Sequence, residues 1–200
     1  MPETPQRRSA LAPAYTAGVF GAERPDGPGV TLCERRGLAI VHLAGYPKDP
    51  AFMAAVKERI GVELPTTPNT SAAGADWAVL WLAPDRWMLI SASAAATALD
   101  GCPGAVNDVS HGRCVMRIEG PHARDVLAGG CTLDFHPDVF KPATCAQSSL
   151  HRVNVLYHFA GTDGPAYDIY APRGFALSLW EALTDAAAEY GYRVDAVMEG

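Results

Sequence analysis

The stretch GCTLDFHPDVFKPATC, residues 130–145, gathers two cysteines, two aspartates and a histidine around two prolines. Three kinds of chemistry could use such residues. Cys131 could be a thiol nucleophile with His136 as its base, or Cys131, His136 and Cys145 could hold a metal. The third possibility is a proline-stiffened loop shaped to fit another surface. A nucleophilic thiol needs its pKa depressed by a nearby cation or a helix N-terminus. Cys131 instead follows Gly129-Gly130, at the expected end of a short helix, where the dipole disfavours a thiolate. Structural zinc sites pair their ligands closely, as in Cys-x-x-Cys. Here four residues separate Cys131 from His136, and eight separate His136 from Cys145. Residue types and spacing favour the shaped loop.

Other constellations are no stronger. The chain has no Gly-x-Ser-x-Gly elbow, no Gly-x-Gly-x-x-Gly turn and no phosphate-cradling Gly-x₄-Gly-Lys-Ser/Thr. Its histidines, at 42, 111, 122, 136, 151 and 158, are scattered, and three of them fall in expected strands. Net charge is −6 with dispersed basic residues, which argues against nucleic acid and an anionic membrane surface. No apolar run is long enough to span a bilayer, and prolines at 2, 5 and 13 break up any leader-like segment. Five dispersed cysteines suggest reduced thiols and a cytoplasmic protein.

The elements that must carry these residues follow from patterning. Residues 1–28, rich in Pro, Gly and Ala, are expected to be flexible or to order on a partner. VTLCE and LAIVHLAG are expected strands around an Arg35-Arg36-Gly37 turn. Asp49 and Pro50 begin a helix that buries Phe52, Val56 and Ile60 and ends at Gly61. DWAVLWLAPDRWMLIS predicts a hairpin whose tryptophans, 77, 81 and 87, pack a core, with 81 and 87 also placed to meet a partner. A short alanine-rich helix follows near 93–99. The second half begins with AVNDVS and RCVMRIEG as strands joined by Ser110-His111-Gly112, then a helix from Pro121 to Gly129-Gly130. After the opening loop come TCAQSSLHR, VNVLYHF and AYDIYAP as strands. A final helix places Phe175, Leu179 and Leu183 on one face. The fold class is α+β with antiparallel sheets and packed helices, in two halves, about 29–103 and 104–200, within one domain over 29–200.

Asp108-Val109-Ser110-His111, a strand, Gly120-Pro121 and then Ala123 to Leu127 resemble the glycine-cleavage T-protein superfamily of folate-dependent aminomethyltransferases. That likeness implies duplicated ββαβββα halves with exchanged strands. Gly130-Cys131, Leu133-Asp134, His136-Pro137, Phe140, Cys145-Ala146-Gln147, Asp168, Tyr170, Pro172-Arg173 and Leu179-Trp180 more closely resemble the γ subunit family of heterotetrameric sarcosine oxidase. The γ subunit of N-methylglutamate dehydrogenase belongs to the same group and is an equal alternative by resemblance, and a free-standing folate-binding or aminomethyl-transfer protein is the remaining one.

The resemblance implies an assembly. Its α, β and δ subunits carry NAD, FAD, FMN, tetrahydrofolate and zinc, and together they demethylate sarcosine to glycine with formation of hydrogen peroxide and 5,10-methylenetetrahydrofolate. No cofactor, metal or catalytic residue is expected in this chain. Where the aminomethyltransferases carry a Gly-Gly-Ile-x-Asp-Asp run facing folate, hand alignment places Val153 to His158, without a carboxylate. The chain also stops about where their C-terminal barrel begins. Cys131, Asp134, Phe135, His136, Pro137 and Phe140 are the residues expected to meet a partner subunit.

Overall fold

A computed structural model describes residues 8–199 of the chain. The strands are β1 (Gly18–Phe20), β2 (Val30–Arg36), β3 (Ala39–Ala44), β4 (Ser71–Ala73), β5 (Ala78–Ala83), β6 (Arg86–Ser91), β7 (Ala105–Asp108), β8 (Arg113–Glu119), β9 (Cys145–Leu150), β10 (Val153–Phe159), β11 (Ala166–Pro172), β12 (Tyr192–Val194) and β13 (Met198–Glu199). The α-helices are α1 (Pro50–Ile60), α2 (Ala123–Gly130) and α3 (Ala176–Ala187).

The strands form two sheets. The large one runs β1-β12-β2-β8-β11-β10-β9 with β13 also on β2, and the small one runs β4-β5-β6-β3-β7. Each sheet has a helix-covered face. Leu32, Met116, Ile118, Tyr157, Tyr167 and Ile169 pack with Val126 and Leu127 of α2 and Leu179, Trp180 and Leu183 of α3. Val41, Leu43, Val79, Trp87 and Leu89 pack with Phe52, Val56 and Ile60 of α1. Because side chains alternate along a strand, the intervening residues form the other faces, which meet each other. Ile40, Leu80, Met88 and Ile90 of the small sheet lie against Val115, Cys145, Leu156 and Tyr170 of the large one. The result is four layers: helix, sheet, sheet, helices.

The chain changes sheet twice. β2 and β3 look like a hairpin in sequence, but β2 belongs to the large sheet and β3 to the small one, with Gly37 and Leu38 between them. β7 and β8 separate in the same way across a 3₁₀ turn at Ser110–Gly112. The crossings hold each other: the Val109 amide donates to the Ile40 carbonyl at 2.9 Å, and the Ile40 amide donates to Ser110 Oγ at 2.9 Å. Thus each half lends one strand to the other's sheet.

Local signals explain α1 well. Asp49 accepts from the Ala51 amide, Pro50 stands at the first turn, and Gly61 closes the helix at φ 69°, a conformation that favours glycine. Several expectations need correction. The alanine-rich helix is only a 3₁₀ turn at Ala96–Leu99. α2 begins at Ala123, two residues after Pro121. Phe175 lies just before α3 and is 55% exposed, while Leu179 and Leu183 are buried. Trp77 and Trp87 are buried, and Trp87 donates its indole N–H to the Pro65 carbonyl at 2.8 Å, so Trp87 is unavailable to a partner.

The segment expected to be flexible or partner-ordered is held by its own chain over the described part of 1–28; residues 1–7 lie outside the described residues. Leu11 is fully buried, Tyr15 stacks on Trp180 at 5.1 Å, and β1 pairs with β12. The alternation that marks longer strands has no room to show in the three residues of β1 and β12. β12 also pairs with β2 in parallel, against the antiparallel expectation.

Candidate functional site

The loop from Cys131 to Cys145 does not bring its chemical residues together. Phe135 and Phe140 turn inward, 3% and 2% exposed, with ring centroids 5.2 Å apart. Phe135 meets Tyr157 and Tyr167 edge-on at 5.4 and 5.5 Å. Both phenylalanines, expected at a partner surface, are therefore part of the chain's own core, where an aromatic ring gains most from burial. Asp134 and His136 face outward. Asp134 Oδ1 accepts from the His136 amide at 2.8 Å, and the His136 carbonyl accepts from the Val139 and Phe140 amides, each at 2.9 Å. This is a turn stabilised by side-chain-to-backbone bonding, with Pro137 exposed at its tip.

The two cysteines are separated in environment. Cys145 is fully buried, donates its thiol to the Thr70 carbonyl at 3.2 Å, and is pushed up to about 11 by burial. Cys131 is half-buried, and its sulfur accepts from the Leu133 amide at 3.4 Å. The glycine before Cys131 has a packing role: a Cβ at Gly130 would lie 2.5 Å from the His151 ring nitrogen. Among the described residues no three His, Cys, Asp or Glu side chains cluster to hold a metal.

The chemically dense place is elsewhere, on the inward face of the large sheet. Strand register aligns Cys33 with Arg117, Arg117 with Asp168, and Asp168 with His158. Asp168 is 1% exposed. Its carboxylate accepts from Arg117 Nε at 2.8 Å, Arg117 Nη2 at 2.9 Å and Arg35 Nη1 at 2.7 Å. Burial depresses the His158 imidazole to about 4; Asp168 opposes that shift, while Arg117 and Arg35 reinforce it. Burial also raises the Cys33 thiol to about 11, partly offset by Arg117. The row is thus a neutral imidazole, an unionised thiol and a carboxylate clamped by two guanidiniums. Charge-assisted, partly bidentate bonds of this kind are strong and geometrically specific.

Sequence reasoning quoted Asp168 only as part of a family pattern, read Arg35 as part of a turn and His158 as one of several scattered strand histidines, and gave Arg117 no role. The Val153–His158 run does lie on β10, with His158 facing inward beside Asp168. The carboxylate absent from that run is present one strand away.

The sequence profile of the "Sarcosine oxidase, gamma subunit family" matches residues 44–189. This chain belongs to that family. It is 30% identical over 197 residues to sarcosine oxidase subunit gamma of Corynebacterium sp. (strain U-96), covering 95% of each chain. It is 36% identical over 110 residues to sarcosine oxidase subunit gamma of an Arthrobacter species, covering 52% of this chain and 54% of the relative. In three dimensions it is similar to a chain of the heterotetrameric sarcosine oxidase from Corynebacterium sp. U-96 in complex with pyrrole 2-carboxylate. That match has a TM-score of 0.79 and 32% identity, and covers 92% of this chain and 96% of the other. Glycine cleavage system aminomethyltransferase T from Bartonella henselae shares the fold, with a TM-score of 0.59 at 18% identity over 86% of this chain and 48% of the other. This chain thus shares the aminomethyltransferase fold.

Proposed function

We propose that this chain is the γ subunit of a heterotetrameric sarcosine oxidase and that it contributes assembly rather than chemistry. The observation that carries this reading is the state of Asp168. A carboxylate that anchors an amine or moves a proton needs a free oxygen to do so. Both oxygens of Asp168 are already bound by arginines at 2.7–2.9 Å, which leaves neither free. In this reading NAD, FAD, FMN, tetrahydrofolate and zinc belong to α, β and δ subunits of a cytoplasmic complex that oxidises sarcosine. Five free thiols are compatible with that compartment, and no helix among the described residues is long and apolar enough to cross a membrane.

In this reading the outer side of the 131–145 loop meets a partner subunit through Cys131, Asp134, His136 and Pro137, while Phe135 and Phe140 anchor it from behind. A rigid, pre-shaped loop binds with little ordering cost. Affinity purification of the tagged chain from its native cell tests the proposal. A yellow complex with further chains and sarcosine-driven peroxide release is the expected result. A colourless single chain that binds tetrahydrofolate overturns it. So does an Asp168→Asn complex that assembles fully yet loses most of its turnover.

A further inference from the structure

The two chain crossings border an open cleft of about 310 Å³. Among the described residues, five arginines line it, at 8, 35, 36, 113 and 173, against Glu34 and Glu199, on a chain whose net charge is −6. Most of these cations are engaged within the chain. Arg35 is held by Asp168 at 2.7 Å, and Arg36 reaches Glu34 with Nε at 2.8 Å and Nη2 at 2.6 Å. Arg173 donates Nη2 to the Arg8 carbonyl at 2.5 Å.

Arg8 is exposed and lends only its carbonyl, which leaves Arg113 as the half-buried exception. It opens β8 on the inward face, two residues from Val115, which stands opposite Arg35, so the two guanidinium-bearing residues are diagonal neighbours. It is half-buried, and burial lowers its pKa, yet it has no hydrogen bond or ion pair among the described residues. Nε of Arg35 is likewise buried without a partner. A half-buried guanidinium without a counter-ion is costly, and planar guanidiniums match carboxylates and phosphates alike. Phe175 is 55% exposed, two residues from the cleft-lining Arg173 and on the same 3₁₀ turn. Arginine beside an accessible aromatic ring is the composition of an interface hot spot rather than of a site for a small free ion.

We infer that this cleft docks an acidic segment of a partner subunit, with a carboxylate of that segment meeting Arg113 and its apolar side resting on Phe175. The inference builds on the assembly reading above and names a contact for it separate from the 131–145 loop. A positive cleft on a negative chain also orients the encounter, since complementary fields act on association rate and register.

The test uses the full chain and its co-expressed partner chains. Arg113→Glu should weaken binding to the partner assembly at least tenfold, Arg113→Lys less, and Phe175→Ala several-fold, with the wild-type affinity falling as salt rises. Arg24→Glu, an exposed charge outside the cleft, should bind as wild type. Thermal unfolding of each isolated variant confirms that it is folded. If Arg113→Glu is folded and binds its partners as wild type does, the docking site is wrong while assembly stands. A wild-type chain that binds no partner overturns both. The docking site is also overturned if acetate or inorganic phosphate, titrated into the isolated chain, binds at micromolar concentration through Arg113, because the cleft is then a small-anion site.

Discussion

The 131–145 loop and the inward face of the large sheet carry the same residue types and treat them oppositely. In the loop, charged groups face water and the chain is held by two phenylalanines sunk in an aromatic cluster. On the sheet, the charged groups are buried and hold one another, Asp168 between Arg35 and Arg117. Closeness in sequence brought nothing together in the first case. In the second, residues from four strands, 33, 117, 168 and 158, were aligned by register. Chemically dense sequence and chemically dense structure are therefore different places in this protein, and each can be perturbed separately.

The largest effect is expected at the clamp. Asp168→Asn leaves two partly buried guanidiniums without their counter-ion and should cost about 3–5 kcal/mol of stability, measured by urea unfolding of the isolated chain. The loop's counterpart is Phe135→Ala, which empties the centre of the aromatic cluster and should cost about 3–5 kcal/mol. If the loss there is under about 1 kcal/mol, the loop is held by its surface turn instead.

His158 gives a pH signature that belongs to the sheet alone. Its imidazole is held at about 4 in the folded chain against about 6.5 unfolded. The unfolded chain therefore binds the additional proton first as pH falls. The stabilisation is complete above pH 6.5 and is lost on acidification between 6.5 and 4, by up to about 1.4 kcal/mol per pH unit. Urea midpoints at pH 7 and pH 5 should diverge less in His158→Gln than in wild type.

Smaller effects complete the contrast. Asp134→Ala removes one acceptor from an exposed turn and should cost about 0.5–1.5 kcal/mol. Native-state alkylation with iodoacetamide should modify half-buried Cys131 before the four buried thiols, without a change in fold. Fast reaction at Cys145 would contradict its burial.

Much of the scaffold was legible. α1 announced itself by Asp49, Pro50 and Gly61, and the β5–β6 hairpin by two apolar runs about Pro84-Asp85. These are local signals, set by caps and turn chemistry within a few residues. What lay beyond reach was non-local. Gly37 marks a turn, but nothing in Arg36-Gly37-Leu38 tells whether the following strand pairs with its predecessor or leaves for another sheet. The Asp168 clamp depends on that choice, because Arg35 reaches it only when β2 joins β8. Phe135 and Phe140 were expected at a partner surface and instead sink into the core, because a loop pattern alone does not tell an anchor from a contact.

The exchange of β2 and β7 between the sheets also bears on how the chain is born. β2 emerges early from the ribosome, but its neighbours β8 and β12 lie about eighty and a hundred and sixty residues further on. A growing polypeptide must therefore carry an unpaired apolar strand through most of its synthesis, and no cut near residue 104 can yield two self-sufficient pieces. Closure of the large sheet is a late, all-or-none event, and long-range pairing of this kind is slow and exposed to aggregation. Nascent copies thus gain from rapid capture by a chaperone.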